Sequence, residues 1–106
     1  MAPLILLGCA TLGWTATREI AAFQDIKGNS RPATYNANGA ATITCVRAVQ
    51  SAPLKPGDQA PACYITGPGL GQRVSINASV HTSGPGTVTL TCTGVGQLGC
   101  RARVSD

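Results

Sequence analysis

Strict alternation of apolar and polar residues in the second half of the chain is the feature that most constrains its fold. The segments RVSINASVH (73–81), TVTLTCT (87–93) and CRARVSD (100–106) place an apolar residue at every second position. A two-residue repeat is typical of a β-strand with one buried face. Threonine and valine in alternation also fit a half-buried pleated surface better than a helix. These segments are therefore predicted to be strands.

The same repeat predicts which side chains face the core. They are Val74, Ile76, Ala78 and Val80 in the first segment, Val88, Leu90 and Cys92 in the second, and Cys100, Ala102 and Val104 in the third. In AATITCVRAV (40–49), Ala41, Ile43, Cys45 and Val49 share one face, with Arg47 as an exception. Four threonines, Thr87, Thr89, Thr91 and Thr93, are expected to form a polar ladder on the outer face. We interpret that ladder as a solvent-facing surface of high β propensity.

Turn signals separate the predicted strands and indicate the fold class. Asn38-Gly39 is the strongest hairpin signal, because both residues tolerate the positive φ of a type I′ turn. QSAPLKPGDQAP (50–61) contains three prolines and is predicted to be a surface loop. REIAAF (18–23) fits either a short helix or an edge strand. Short strands with turns every 8–12 residues or so predict an all-β, antiparallel β-sandwich, immunoglobulin-like or a small barrel, stabilised by disulfides.

Length and charge restrict the organisation and the partners. At 106 residues the chain is expected to form an apolar N-terminal segment, 1–10, and one β domain, 11–106. Only 11% of residues are charged and 43% are hydrophobic, a composition that argues against disorder. The net charge of +4 is dispersed, and none of the four aromatic residues lies in a basic cluster. No nucleic-acid partner is expected.

The cysteine count indicates the compartment. There are five cysteines, none in a C-x-x-C pair, and His81 is the single histidine, so no metal site is expected. Disulfides are the better explanation, and they place the protein in an oxidising compartment, extracellular or in the cell envelope. We favour Cys45 with Cys63 and Cys92 with Cys100, each closing a local hairpin-like loop. The alternative of Cys45 with Cys92 would tie two sheets together.

The fifth cysteine, Cys9, follows the densest apolar run, PLILLGCA (3–10). Leu6-Leu7-Gly8-Cys9 resembles the lipobox of bacterial envelope lipoproteins. The resemblance implies cleavage before Cys9, lipidation of Cys9 and a membrane anchor. Alternatively the run is a strand covered on both faces, because it does not alternate. In that case Leu4, Ile5, Leu6 and Leu7 are expected to contact a partner by strand addition.

The functional expectation is a protein without catalytic activity. His81 lies on the solvent side of its predicted strand, and the four acidic residues are scattered, so neither triad nor paired-carboxylate chemistry is indicated. No cofactor and no small-molecule substrate are expected.

We expect a non-enzymatic extracellular or cell-envelope structural or assembly protein, with or without a lipid anchor, whose partners are proteins or copies of itself. One alternative is a self-assembling subunit of an extracellular filament, a fimbria-like fibre or a phage particle decoration. Another is a small secreted binding or inhibitory module that uses loops 50–61 or 94–99.

Overall fold

The described part of the chain contains nine β-strands. A computed structural model describes residues 17–24, 30–50, 53–94 and 97–106. In this part of the chain the strands are β1 (Thr17–Gln24), β2 (Ser30–Arg31), β3 (Ala33–Ala37), β4 (Thr42–Gln50), β5 (Ala62–Gly67), β6 (Leu70–Val74), β7 (Ser79–His81), β8 (Gly86–Thr93) and β9 (Gln97–Ser105). The segment 18–23, which fitted a helix or an edge strand, lies within β1.

The strands form two antiparallel sheets that pack face to face. The five-stranded sheet has the order β2-β1-β9-β4-β7, and the four-stranded sheet has the order β3-β8-β5-β6. The predicted all-β, antiparallel, disulfide-stabilised fold is confirmed. Because the two sheets are separate, the protein adopts the sandwich form of that prediction rather than a closed barrel.

The core between the sheets consists of small and branched aliphatic side chains. Its buried members are Ala22, Ala37, Ala41, Ile43, Cys45, Cys63, Ile65, Val74, Val80, Val88, Leu90, Cys100, Ala102 and Val104. The largest fully buried side chains of the described residues are those of Ile43, Ile65 and Leu90. A core of such small side chains contributes limited burial energy, so cross-links account for a larger share of the stability.

Strands that follow one another in the chain mostly lie in different sheets. Among the described strands, only β1–β2 and β5–β6 are consecutive partners. The connection through Asn38 and Gly39 therefore passes from one sheet to the other, and the predicted hairpin there is wrong. Neither residue has a positive φ. The N–H of Asn38 instead donates to Oδ2 of Asp106 at 2.7 Å. Pairing of β3 with β8 and of β4 with β9 outweighs the local turn preference.

The predicted nine-residue strand 73–81 is two strands in different sheets. β6 ends at Val74 and β7 begins at Ser79. Between them Asn77 has a φ of 73°, and its N–H donates to the Cys45 carbonyl at 2.7 Å. Val74 and Val80 are buried as predicted, but Ile76 is 42% exposed and Ala78 is also exposed. The inward prediction for Ile76 and Ala78 is wrong because the turn ends the alternation.

A β-bulge in β4 changes the facing of its second half. Cys45 lies opposite Ala102 on β9, whereas Arg47 lies opposite Arg101, so Val46 is an extra residue. One inserted residue reverses which side chains point inward. Ala41, Ile43 and Cys45 are buried as predicted, but Val49 is 38% exposed. The inward prediction for Val49 is therefore wrong. The same register shift places the Arg47 side chain on the outer face, so Arg47 is no longer an exception.

The two disulfides join the pairs favoured from the sequence, but they do not close hairpins. The Cα atoms are 5.8 Å apart in Cys45–Cys63 and 5.5 Å apart in Cys92–Cys100. Cys45 and Cys100 lie in the five-stranded sheet, and Cys63 and Cys92 lie in the four-stranded sheet. Each bridge therefore ties the two sheets together, the role that the sequence assigned to the alternative pairing. Cysteines only 18 and 8 residues apart in the chain are joined across the core because their strands belong to opposite sheets.

Candidate functional site

The two outer faces of the sandwich differ in charge. The face of the five-stranded sheet carries exposed arginines on three of its strands: Arg31 on β2, Arg47 on β4, and Arg101 and Arg103 on β9. The face of the four-stranded sheet carries Arg73, on β6 opposite Tyr64, and otherwise mainly threonines: Thr34, Thr66, Thr87, Thr89 and Thr91. Excess positive charge on one face directs that face toward anionic groups.

The arginine-bearing face also contains an apolar trough. The trough has a volume of about 260 Å³ and is lined by Ala21, Ala22, Phe23, Arg47, Val49, Gly99, Cys100 and Arg101. Gly99 of β9 lies between Phe23 of β1 and Val49 of β4 in the strand register. Since Gly99 has no side chain, the floor is open between two apolar walls. Phe23 is 50% exposed and Val49 is 38% exposed.

The β4 bulge supplies one wall and part of the rim. Without the extra residue at Val46, the alternation that buries Cys45 would also bury Arg47 and Val49. The register shift turns both side chains to the outer face, where they line the trough. Bulges often redirect side chains next to functional sites. The sequence signal for this feature was the charged Arg47 at a position that strict alternation assigned to the core.

The arginines at the rim are incompletely neutralised. Arg47 and Arg101 lie directly opposite each other on β4 and β9, an arrangement of like charges that disfavours the sheet. A guanidinium nitrogen of Arg101 is 3.3 Å from a Glu19 carboxylate oxygen, and one of Arg103 is 3.9 Å from the other oxygen. Within the described part of the chain, Arg47 forms no ion pair. A local conflict of this kind is typical of a position selected for binding rather than for stability.

A further cation lies beside the opposite wall. The guanidinium carbon of Arg31 is 5.5 Å from the centroid of the Phe23 ring, within the range of a cation–π interaction. The contact holds positive charge next to Phe23 and favours a fixed position for the exposed ring. The trough thus has an apolar floor and walls with cationic groups on both sides.

The size of the trough restricts what it can hold. Small-molecule sites usually measure 300–1,000 Å³ or so and enclose most of their ligand. A volume of about 260 Å³ open on one side is instead suited to one or two side chains of a partner. Exposed aromatic and arginine side chains are also the residue types enriched at protein interfaces. The trough is therefore suited in shape and charge to an apolar group that has an anion beside it.

The other residues singled out by the sequence lie elsewhere or outside the described residues. Leu4, Ile5, Leu6, Leu7 and Cys9 are not in the described part of the chain. The predicted loop 94–99 is wrong over 97–99, which belong to β9 and include Gly99 of the trough, and residues 95–96 are not described. His81 is exposed on β7, where its Nδ1 is 3.0 Å from Oγ1 of Thr42. The predicted surface loop 50–61 begins with Gln50, the last residue of β4; its residues 53–61 are mostly exposed, and none of them lines the trough.

The threonine ladder lies on the opposite face of the sandwich from the trough. Thr87 donates a hydrogen bond to Oδ1 of Asn36 at 2.9 Å, and Thr91 donates one to the Tyr64 carbonyl at 3.5 Å. These bonds connect β8 to both of its neighbours. The ladder thus contributes to the cohesion of the four-stranded sheet; Thr87 is exposed, and Thr89, Thr91 and Thr93 are half-buried on its outer face.

The described residues contain neither a metal-binding cluster nor a membrane-spanning helix. They contain no group of three or more side chains placed to hold a metal ion. They also include no helix with the length and hydropathy needed to cross a membrane. Comparison of the chain with protein-family models, with curated proteins and with solved structures returned no match.

Proposed function

We propose that this protein is a non-enzymatic, protein-binding component of the cell envelope or of an extracellular assembly. Its partner is held at the trough between Phe23 and Val49. The observation that carries the proposal is the exposed apolar trough bordered by Arg47 and Arg101 on an otherwise small, weakly charged domain. Exposed aromatic groups and arginines in a concave site are the usual anchors of a protein interface.

The two disulfides support an oxidising compartment. Both bridges join the sheets, so the sandwich depends on them and is suited to an environment in which thiols stay oxidised. The extracellular or cell-envelope location is part of our proposal.

Lipidation of Cys9 and strand donation by Leu4–Leu7 remain predictions for the N-terminal segment. Intact-mass measurement on the native protein tests the first: a chain that begins at Cys9 with added acyl mass would support it, and an intact Met1 would contradict it.

Site-specific photo-crosslinking in the producing cell tests the binding proposal. A benzophenone amino acid replaces Phe23 in one variant and Thr89 in a matched variant, because Thr89 lies on the opposite face. We expect the variant at position 23 to form adducts of one or a few discrete masses, identified by mass spectrometry, and the variant at position 89 to form none of them. Absence of adducts from position 23, or identical adducts from both faces, would contradict the proposal.

A further inference from the structure

The charges around the trough indicate the chemistry of the partner. Glu19 is shared between Arg101 and Arg103, at 3.3 Å and 3.9 Å. Arg47 forms no ion pair with any described residue, and Arg31 adds a second cation beside Phe23. Counted over the described residues, the site therefore has more positive than negative charge before any ligand arrives. A carboxylate on the ligand would relieve the repulsion between Arg47 and Arg101 and accept hydrogen bonds from their guanidinium groups.

A second copy of the described domain is a poor source of that carboxylate. The three acidic side chains among the described residues are already engaged: Glu19 with Arg101, Asp58 with the Lys55 N–H at 2.9 Å, and Asp106 with Tyr35 and Asn38. Two identical arginine-bearing faces would also repel each other. The charge pattern thus favours a different protein over self-association through this face.

The shape of the site favours a protein segment over an anionic membrane surface. A bilayer is contacted best by apolar groups that protrude from a flat or convex surface. Here the apolar floor at Gly99 is recessed between Phe23 and Val49, in a trough of about 260 Å³. A recess of this size accepts a side chain that projects from a partner, in the manner of an interface anchor.

On this basis, and resting on the proposed function, we propose that the partner is an acidic protein segment. Its large apolar side chain fills the trough over Gly99, and a flanking carboxylate pairs with Arg47 and Arg101. The arginines then contribute specificity and association rate, and the apolar side chain contributes most of the buried area.

Capped five-residue peptides provide the probes. One has a central tryptophan between two glutamates, the second has the tryptophan between two lysines, and the third has alanine between two glutamates. Binding is followed by amide chemical shifts of the ¹⁵N-labelled, disulfide-bonded protein up to millimolar peptide. We expect the glutamate–tryptophan peptide to cause saturable shifts at Phe23, Val49 and Gly99. The lysine and alanine peptides should bind at least about fivefold more weakly.

Matched variants assign the effect to the site. Arg47→Gln should weaken binding of the glutamate–tryptophan peptide roughly fivefold, the scale of one partly exposed ion pair. Arg103→Gln is the control and should leave peptide binding unchanged, because Arg103 is on the same strand and face as Arg101 but does not line the trough. Gly99→Val should abolish binding because its side chain would fill the floor of the trough. The domain should stay folded, because a Cβ at Gly99 meets the Ala22 carbonyl and the Phe23 Cβ at ordinary contact distances of 3.5 Å and 3.8 Å.

Three results would overturn the inference. Equal binding of the glutamate and lysine peptides would remove the acidic requirement, while an adduct from position 23 in the crosslinking experiment would leave the proposed function standing. Failure of the glutamate–tryptophan peptide to bind would refute the stated partner chemistry. Arg47-dependent binding to phosphatidylcholine vesicles containing phosphatidylglycerol, without peptide binding, would identify a lipid surface as the partner instead.

Discussion

The disulfide between Cys45 and Cys63 is expected to stabilise the fold more than the one between Cys92 and Cys100. Both cysteines of the first bridge are fully buried, one in each sheet. In the second bridge Cys92 is only half-buried. The perturbation is paired replacement by alanine: Cys45→Ala with Cys63→Ala in one variant, and Cys92→Ala with Cys100→Ala in the other. Each variant removes one cross-link and two sulfur atoms and leaves the other bridge in place.

The expected magnitudes follow from loop length and burial. The bridges span 18 and 8 residues. The chain-entropy model gives about 3 kcal/mol for the longer loop and about 2.5 kcal/mol for the shorter one. Each fully buried sulfur that is removed leaves a void that costs on the order of 1 kcal/mol. The first variant should therefore lose about 5 kcal/mol and the second about 3.5 kcal/mol, because only the Cys100 sulfur is removed from a fully packed position.

Urea unfolding followed by far-UV circular dichroism measures both losses under non-reducing conditions. Domains of this size are stable by roughly 5–15 kcal/mol, so the Cys45/Cys63 variant is expected to unfold at low urea and in part without denaturant. Both variants should retain the β-sheet spectrum where they are folded. If the Cys92/Cys100 variant is destabilised as much as or more than the other, the reasoning from loop length and burial is refuted.

Two further predictions concern the turn after β6 and the end of β9. Asn77 has a φ of 73°, so Asn77→Ala should destabilise the protein by about 1 kcal/mol, whereas the matched Asn77→Gly should cost little or nothing in thermal unfolding. Equal losses for the two variants would contradict the role of the left-handed backbone. Burial and the hydrogen bond to Asp106 raise the pKa of Tyr35, so the stability from its neutral hydroxyl is present below about pH 10 and is lost as the pH rises through the folded pKa. Between about pH 9 and pH 12, the melting temperature of the native protein should thus fall more steeply than that of Tyr35→Phe. Parallel declines would contradict a stabilising role for the neutral Tyr35 hydroxyl.

The sequence was sufficient to predict strands and, in most of them, the buried face. In β8 and β9 Val88, Leu90, Cys100, Ala102 and Val104 are buried as the alternation predicts. It failed where the backbone departs from a regular strand. Asn77 interrupts an apparently unbroken pattern with a turn, and the bulge at Val46 inverts the facing of Val49. The turn at Asn77 leaves the two-residue repeat of the letters unbroken, and the bulge leaves only Arg47 as an exception, because the repeat records residue type and not backbone direction.

The candidate site, too, was only partly predictable from the sequence. Arg47 stood out in the sequence as a charge on an apolar face, which was the only local trace of the trough. Phe23, Val49 and Gly99 are far apart in the chain and meet because β1, β9 and β4 are neighbours in one sheet. That adjacency depends on long-range pairing, which local propensity does not encode.

The amino-acid sequence by itself determined that the chain forms antiparallel strands with one apolar face each, and it favoured the cysteine pairs that form without excluding the alternative of Cys45 with Cys92. The tertiary structure alone decided which strands share a sheet, that both disulfides cross between the sheets, and that an arginine-bordered trough lies on one face. The physical reason is that alternation requires each strand to bury one side but is satisfied by many partners. The choice among those partners is made by how all the buried faces pack together at once.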